Sequence, residues 1–206
     1  FDVAHDLAHV ANIQHALGGR ASIRLDANQG YDRAAACRFA ASLDPAGIEL
    51  FEQPCAAHDW DSAAAVARVA TVPMMLDESI YGLADIARAA ELRAARYIKL
   101  KLMKMGSLAG LAEWLQFIRD CGMEPVLGNG VACEPGCWME ACVAAQFVTT
   151  AGEMNGFLKP RQRLFSDPLE FRNGAIHLQP DFAPVIDWQA ARQFVAAEIS
   201  FEGKPK

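Results

Sequence analysis

The hydrophobic and polar positions along the chain alternate between two kinds of spacing. Residues 3–17 carry apolar side chains at helical intervals, and the pair Gly18–Gly19 ends that pattern. Short apolar runs of the kind that form buried strands follow each helical stretch. The predicted helices span residues 3–17, 31–43, 59–69, 83–92, 107–121 and 135–147, and the predicted strands read ASIRLD, IELFE, MMLD, YIKLKL, EPVLG and TTAGE. Strands that alternate with helices in this way predict an α/β fold with a parallel sheet. Beyond residue 160 we expect turns, a short strand GAIHLQ and a last helix over residues 188–198.

Each of the six predicted strands ends at a polar residue. In chain order these are Asp26, Glu52, Asp77, Lys101, Asn129 and Glu153. The periodicity alone permits an open doubly wound sheet or a closed barrel. An open sheet concentrates its ligand contacts at one switch point, whereas a barrel gathers all of its strand ends at one mouth, so the strand ends favour a barrel. Six units are two fewer than a full barrel needs, and a full barrel takes ~250 residues. We therefore expect the chain to be part of a longer protein.

Composition narrows the class of partner. The 206 residues are 52% hydrophobic and 21% charged, with a formal net charge of −6, which is enough for one sizeable core and unfavourable for binding nucleic acid or an anionic membrane. A small molecule is the expected ligand. No apolar stretch approaches the ~20 residues of a membrane span, and no signal peptide is recognisable, so the expected location is the cytoplasm. The six cysteines lie in apolar segments, and we expect them to be reduced, buried thiols.

Three carboxylates and one ammonium group come to the same edge of this predicted sheet. Asp26, Glu52 and Asp77 would offer oxygen ligands, which a hard cation such as Mg²⁺ prefers. Lys101 would lie beside them, where partial shielding from water favours the neutral amine that can take a proton. The residues therefore predict a divalent-metal site beside a base. Two alternatives remain open at this point: a Schiff-base aldolase or lyase that uses Lys101, and a metal-binding barrel scaffold without catalysis.

Four motifs carry a resemblance to a known family. The segments DANQGY, FEQP, LDES and IKLKLMKMGSL, in this order and at this spacing, resemble the strand-end motifs of the enolase superfamily, in its muconate-lactonising and mandelate-racemase-like branch. The resemblance implies a TIM-like (β/α)7β barrel, with residues 1–180 forming strands three to eight. It also implies that an N-terminal capping domain and the first two barrel strands precede Phe1, and that residues 181–206 form a tail that packs on that cap.

The resemblance also implies a reaction. Family members abstract the α-proton of a carboxylate substrate through an enediolate, with Mg²⁺ (Mn²⁺ is also acceptable) and a lysine base. On this chain the implied metal ligands are Asp26, Glu52 and Asp77, and the implied acid/base is Lys101. Racemisation or epimerisation, dehydration and cycloisomerisation all stay open, on an amino-acid-derived or hydroxy acid. The expected assembly is a homo-oligomer.

Five further residues are expected to contact the substrate or to support the ligands. Asn28 and Glu78 follow two of the ligands closely, and Glu78 is the rival of Asp77 for the inward position. Lys99 should face the same side as Lys101, one layer deeper, and pair with the carboxylates. Asn129 and Glu153 end the last two predicted strands.

The chain departs from the family pattern in three places. No Lys-x-Lys precedes DANQ, no histidine base occurs in GNGVA, and GEMNG replaces the Asp-x-Asp of dipeptide epimerases. The missing Lys-x-Lys would supply the second half of the acid/base pair. We therefore expect residues 1–206 alone to be inactive.

Overall fold

A computed structural model describes residues 1–128 and 132–200 of the chain. Its helices are α1 Val3–Leu17, α2 Arg33–Ser42, α3 Trp60–Val69, α4 Leu83–Leu92, α5 Leu102–Met105, α6 Leu108–Asp120, α7 Glu134–Phe147 and α8 Trp188–Arg192, with a 3-10 turn at Gly156–Leu158. Its strands are β1 Ile23–Asp26, β2 Ile48–Glu52, β3 Met74–Leu76, β4 Tyr97–Leu100, β5 Glu124–Leu127, β6 Glu170–Arg172 and β7 Ala175–His177.

Side-chain caps explain where several helices begin. An aspartate just before α1, α2, α3 and α8 accepts a hydrogen bond from the backbone N–H three residues later, and Ser107 does the same for α6. Such a cap satisfies one of the backbone donors that a helix start leaves without a partner. These caps therefore determine the residue at which each helix begins.

The main sheet has five parallel strands in the order β1-β2-β3-β4-β5, so each strand pairs with the next one along the chain. This order lacks the reversal of a doubly wound sheet and is the winding of a barrel wall. The predicted α/β class and the parallel sheet are therefore confirmed. The sheet forms part of a barrel, and its carboxyl ends all point to one edge.

The two faces of the sheet bury different side chains. Leu50, Met75 and Val126 are fully buried and pack together on one face. The residues next to them in sequence, such as Phe51, Leu76 and Leu127, belong to the clusters that pack under the helices. Because successive strand residues point to opposite faces, the residues two positions after Leu50 and Met75 share the inner face with them. Those residues are Glu52 and Asp77.

The sixth predicted strand, TTAGE at residues 149–153, does not form a strand in the structure. The segment still runs beside β5, because Glu153 N donates to Leu127 O at 2.9 Å and the Thr150 hydroxyl donates to Pro125 O at 2.9 Å. Residues two apart in a strand turn their backbone polar groups to the same side, so Pro125 faces this segment as Leu127 does. Proline has no N–H to donate, which removes one bond of the ladder.

The region after Lys101 and the end of the chain also differ from the predicted elements. A short helix, α5, begins directly after Lys101 and had no counterpart in the predicted pattern. The last helix ends at Arg192 instead of reaching residue 198. Phe194 and Val195 are 63% and 54% exposed, so the apolar face that would support a longer helix is not covered. The predicted strand GAIHLQ contributes β7, which pairs with β6 across a turn at Asn173 and Gly174, both with positive φ.

Two further expectations concern membranes and thiols. Among the described residues, no helix combines the length and apolar character that crossing a membrane requires. All six cysteines are free thiols, but the expectation that they are buried is wrong for most of them: Cys55 and Cys137 are buried, Cys133 is exposed, and the other three are partly exposed.

Candidate functional site

Glu52, Asp77 and Lys101 come to the same edge of the sheet, at or just past the ends of β2, β3 and β4. Asp26 ends β1 and lies directly beside Glu52 in the register of the two strands. Glu52 and Asp77 are buried, with 3% and 4% of their surface exposed, whereas Asp26 is exposed. The three carboxylates therefore share one edge but differ in their access to water.

Asp77 is held between two lysines. Lys101 Nζ donates to Asp77 Oδ2 at 2.5 Å, and Lys104 Nζ donates to Asp77 Oδ1 at 3.0 Å. Burial alone would raise the pKa of Asp77, but the hydrogen bond from Lys101 and the charge of Lys104 hold that pKa below its usual value. Asp77 is thus an ionised carboxylate, and the candidate base is in direct contact with it.

Glu52 is paired with the deeper lysine, Lys99. The Lys99 ammonium lies 2.7 Å from Glu52 and 2.9 Å from Glu153, and it joins the end of β2 to the irregular segment 149–153. Burial raises the pKa of Glu52 to about 7, and the hydrogen bond from Lys99 only partly opposes that rise. The nearby charges of Asp26 and Glu153 raise it further. The pKa of Lys99 is raised despite its burial, because Glu52 and Glu153 stabilise the ammonium form.

One oxygen of Glu52 has no hydrogen bond. Lys99 Nζ donates to Oε2, whereas Oε1 is buried and accepts no hydrogen bond among the described residues, although Nζ lies as near to it. Both oxygens lie at the same distance from Nζ, but only Oε2 has the donor and acceptor angles that a hydrogen bond requires. Glu78 Oε2 is buried without a partner as well, over the same described residues. Buried carboxylate oxygens of this kind are favourable positions for a cation.

Asn28 supports Asp26 through its backbone. Its N–H donates to Asp26 Oδ1 at 2.8 Å, while its own side chain is exposed and the residue has a φ of 44°. Asparagine tolerates this left-handed conformation better than most residues. The turn after β1 therefore orients the carboxylate at the end of that strand.

Gln53 is a site residue that the sequence interpretation missed. It is buried and follows Glu52 with a φ of 35°. Its side-chain oxygen accepts the backbone N–H of Asp77 at 3.0 Å and of Ser79 at 3.2 Å, and its amide donates to the Ser79 hydroxyl at 2.8 Å and to Cys55 O at 3.1 Å. One side chain thus locks the end of β2 to the loop after β3. Its place directly after a strand-end acid in FEQP was the available signal.

Lys104 is the second missed residue. Besides Asp77 Oδ1, its ammonium donates to Asp77 O at 2.8 Å and to Ile80 O at 3.1 Å, and it lies 4.8 Å from the centre of the Tyr81 ring. It follows Lys101 by three positions, a spacing that places both lysines on the same side of a helical turn such as α5. That spacing in KLMK was the sequence signal.

Gly128 gives the two inner lysines room at the end of β5. A Cβ atom there would lie 2.8 Å from Lys99 Cδ and 3.3 Å from Lys101 Cε. Glycine is required here because a side chain would collide with the lysines; its backbone angles are ordinary. The next residue, Asn129, was predicted to contact substrate and lies outside the described residues.

The donor set fits a hard divalent cation in its chemistry. Carboxylate oxygens from neighbouring strands are the ligands that Mg²⁺ prefers, and Glu52 and Glu78 each offer a buried oxygen that has no hydrogen bond within the described part of the chain. Over residues 1–128 and 132–200, no three acidic, histidine or cysteine side chains already form a cluster ready to bind a metal. The ammonium groups of Lys99, Lys101 and Lys104 neutralise the carboxylates here, as a cation would.

Comparisons with known proteins agree with one another. Residues 1–184 match the family described as "Enolase C-terminal domain-like". The chain is 30% identical over 194 residues to muconate cycloisomerase 1-2 of Acinetobacter lwoffii, which covers 90% of the chain and 49% of that protein. It is 32% identical over 146 residues to the L-Ala-D/L-Glu epimerase of Bacillus subtilis, which covers 70% of the chain and 40% of that protein.

Solved structures give the same result. A crystal structure of muconate cycloisomerase from Pseudomonas fluorescens superimposes with a TM-score of 0.86 at 27% identity, over 94% of this chain and 55% of that one. The chain thus spans about half the length of the curated relatives it matches.

Proposed function

Because the chain belongs to the family of enolase C-terminal domain-like proteins, we propose that it carries the proton-abstraction site of an enolase-superfamily isomerase or lyase. The observation that carries the proposal is the contact of Lys101 Nζ with Asp77 Oδ2 at 2.5 Å, which joins the candidate base to a candidate metal ligand. Such a pair is what removal of a proton next to a carboxylate requires, since the base and the site of charge stabilisation must act on one substrate.

In this proposal Asp26, Glu52 and Asp77 hold Mg²⁺, with Mn²⁺ as a substitute, and Glu78 is the reserve ligand. When bound, the cation stabilises the negative charge that develops on the substrate carboxylate. Glu52 Oε1, which accepts no hydrogen bond among the described residues although the Lys99 ammonium lies 2.7 Å from it, supports this assignment. The turn at Asn28 orients Asp26, and Gln53 fixes the backbone of Asp77.

Lys101 is the proposed acid/base. It has 23% of its side chain exposed, so it can reach a substrate from the mouth of the barrel while most of it is shielded from water. To act as the base Lys101 would have to be the neutral amine, so its ammonium would first give a proton to solvent and release Asp77 Oδ2, while Lys104 keeps Asp77 paired through Oδ1. Lys99 keeps Glu52 and Glu153 compensated below the reacting centre. Glu153, with 37% of its side chain exposed, and Asn129 are the proposed substrate contacts.

The substrate class is a small carboxylate, derived from an amino acid or a hydroxy acid. The names of the relatives give muconate cycloisomerisation and L-Ala-D/L-Glu epimerisation, both reactions of carboxylates, and this supports a route in which an α-C–H bond is broken or formed through an enediolate. Racemisation or epimerisation, cycloisomerisation and dehydration then differ only in the step after proton removal.

The remaining parts of the proposal concern the whole protein. In this proposal residues 1–180 form the barrel part, with β1 to β5 as strands three to seven and the irregular segment 149–153 in the place of strand eight, and residues 181–206 pack on a capping domain. The exposed Trp188 and Phe194 supply apolar surface for such a contact. A homo-oligomer in the cytoplasm completes the proposal, and six free thiols suit that reducing compartment.

Exchange of the α-proton with D₂O tests this function. The experiment uses the full-length natural protein that carries this sequence, a panel of α-substituted carboxylates, and mass spectrometry with and without Mg²⁺. We expect exchange that requires Mg²⁺ and falls by about 10²-fold or more in Lys101→Ala. Lys159→Ala, an exposed lysine outside the site, serves as the control and keeps full exchange. Exchange that survives loss of Lys101, or a borohydride-trapped adduct on Lys101, would contradict the proposed function.

A further inference from the structure

A cavity of about 410 Å³ lies apart from the strand-end lysines, between the start of α7 and the segment that leads to Leu164. Its apolar walls come from Phe157, Leu164 and Phe194, and its charged lining comes from Glu134, Arg161 and Arg163. The sequence interpretation assigned no individual role to these residues, although Phe194 lies in the tail proposed to pack on a capping domain. A half-open, mainly apolar cleft with a few charged groups at one side is a common form of a small-ligand site.

Glu134, the acidic residue of this lining, already accepts several hydrogen bonds from the backbone. Glu134 has only 2% of its surface exposed, and its carboxylate accepts three backbone N–H groups, from Leu164, Phe165 and Leu169 at 3.0 to 3.1 Å. Its lone pairs are thus directed at the backbone. Arg163 Nη1 forms an ion pair with Glu134 Oε1 at 3.6 Å, a separation too long for a hydrogen bond.

Arg163 therefore has a hydrogen-bond donor that is not used. Its Nη1 is buried with no hydrogen-bond partner among the described residues, and 37% of the side chain remains exposed at the cavity. The guanidinium carbon lies 5.0 Å from the centre of the Phe157 ring, so packing on the aromatic face fixes its direction. Arg161 adds a second, exposed cation to the same wall.

We propose that this cavity binds a small organic anion, a carboxylate with an aryl or branched alkyl body. The carboxylate would accept hydrogen bonds from the exposed edge of Arg163 and from Arg161, and the body would lie against Phe157, Leu164 and Phe194. The planar guanidinium suits a two-oxygen anion, and the apolar walls exclude a hydrated inorganic ion as the best ligand. The inference does not depend on the proposed catalytic function, since it needs neither a metal nor Lys101.

Cys133 makes the proposal measurable. It is exposed and lines the cavity, so a bound ligand should shield its thiol from alkylation. The full-length natural protein that carries this sequence is treated with iodoacetamide at increasing benzoate concentrations, and alkylation of each cysteine is followed by mass spectrometry. Cys121, outside this lining, is the internal control. We expect selective protection of Cys133 with half-protection at about 1 mM benzoate, and no protection by the neutral analogue benzamide.

Variants distinguish an anion site at Arg163 from binding elsewhere on the chain. Arg163→Gln should weaken benzoate protection about tenfold, whereas Arg163→Lys should retain part of it. The control is Arg172→Gln, a change at an exposed arginine in β6, which should leave the protection unchanged. Lys101→Ala should also leave it unchanged, and loss of protection there would assign benzoate to the strand-end lysines and overturn the proposal. Equal protection by benzamide, equal protection in Arg163→Gln, or none at about 20 mM benzoate would each overturn it too.

Discussion

The ammonium group of Lys99 lies 2.9 Å from Glu153, and this contact brings a segment without strand structure into the site. Lys99 also pairs with Glu52, so one buried cation compensates two carboxylates that come from distant parts of the chain. This deeper layer belongs to the site, because it sets the charge state of Glu52 beneath the proposed metal position.

Removal of Lys99 should destabilise the protein strongly. Lys99→Met leaves Glu52 buried without its ammonium partner, so Glu52 either stays ionised and uncompensated or takes up a proton, and the expected cost is up to about 3–5 kcal/mol of unfolding free energy. Urea unfolding measures the loss. Adding Glu52→Gln to Lys99→Met should recover part of it, because the second change removes the unpaired charge. The matched control is Arg96→Met, which removes an exposed ion pair of 3.8 Å and should change stability by at most about 0.5 kcal/mol. A small effect of Lys99→Met would show that the pair does not matter for folding.

Gln53 should matter more than its neutral side chain suggests. Gln53→Ala removes four hydrogen bonds and leaves the backbone N–H groups of Asp77 and Ser79 without their acceptor. We expect a loss of about 2–4 kcal/mol in unfolding free energy, since each buried polar group that is left without a hydrogen-bond partner costs about 1–3 kcal/mol. Gln116→Ala, on the exposed side of α6, provides the control, with an expected change within about 0.5 kcal/mol. Equal stabilities of the two variants would refute the positioning role.

The ion pair between Arg24 and Glu49 predicts a pH dependence of stability. Arg24 donates two hydrogen bonds to Glu49, at 2.7 and 3.0 Å, and they hold the pKa of Glu49 below its usual 4.5. A lowered carboxyl pKa contributes stability above the unfolded pKa and loses it as the pH falls through the folded pKa. The stability difference between the wild type and Glu49→Gln should therefore be about 1 kcal/mol at pH 7 and shrink below about pH 4. Thermal unfolding between about pH 3 and pH 7 measures it, and a difference that grows on acidification would contradict the assignment.

Gly128 predicts a steric effect that is specific to the lysines. In Gly128→Ala the new methyl group would lie 2.8 Å from Lys99 Cδ, so the Lys99 side chain has to move from its pairing with Glu52 and Glu153. Because Lys99 is buried and bonded at its far end, the displacement should cost about 1–3 kcal/mol of unfolding free energy. Gly110→Ala, in which the nearest atom outside the helix backbone is a flexible Ser107 hydroxyl at 3.0 Å, is the comparison. A crystal structure of Gly128→Ala with Lys99 in its original position would contradict the prediction.

The order of elements could be predicted from sequence because it depends on local periodicity. The runs that end at Asp26, Glu52, Asp77 and Lys101 lie where they were expected, and all four reach one edge of a parallel sheet. Regular alternation of helix and strand carries that information without tertiary context.

The features that could not be predicted depend on tertiary contacts. The pairing of Lys104 with Asp77 follows from the short helix α5, which the pattern of apolar residues did not reveal. The role of Gln53 depends on a positive φ that few residues other than glycine adopt and that no periodicity encodes. The irregular segment before Glu153 reflects a proline in the neighbouring strand, which is visible only once the pairing of strands is known.

The most direct test of the proposed metal site is an anomalous-scattering map of Mn²⁺-soaked crystals of this chain, since Mn²⁺ substitutes for Mg²⁺ at oxygen sites. We predict one strong peak within about 2.0–2.6 Å of oxygens from Asp26, Glu52 and Asp77, lost in Asp26→Asn and retained in Asp61→Asn, an exposed aspartate on α3. A map in which saturating Mn²⁺ leaves those three carboxylates without a shared peak, with Glu52 still paired with Lys99 and Asp77 still paired with Lys101 and Lys104, would contradict that prediction.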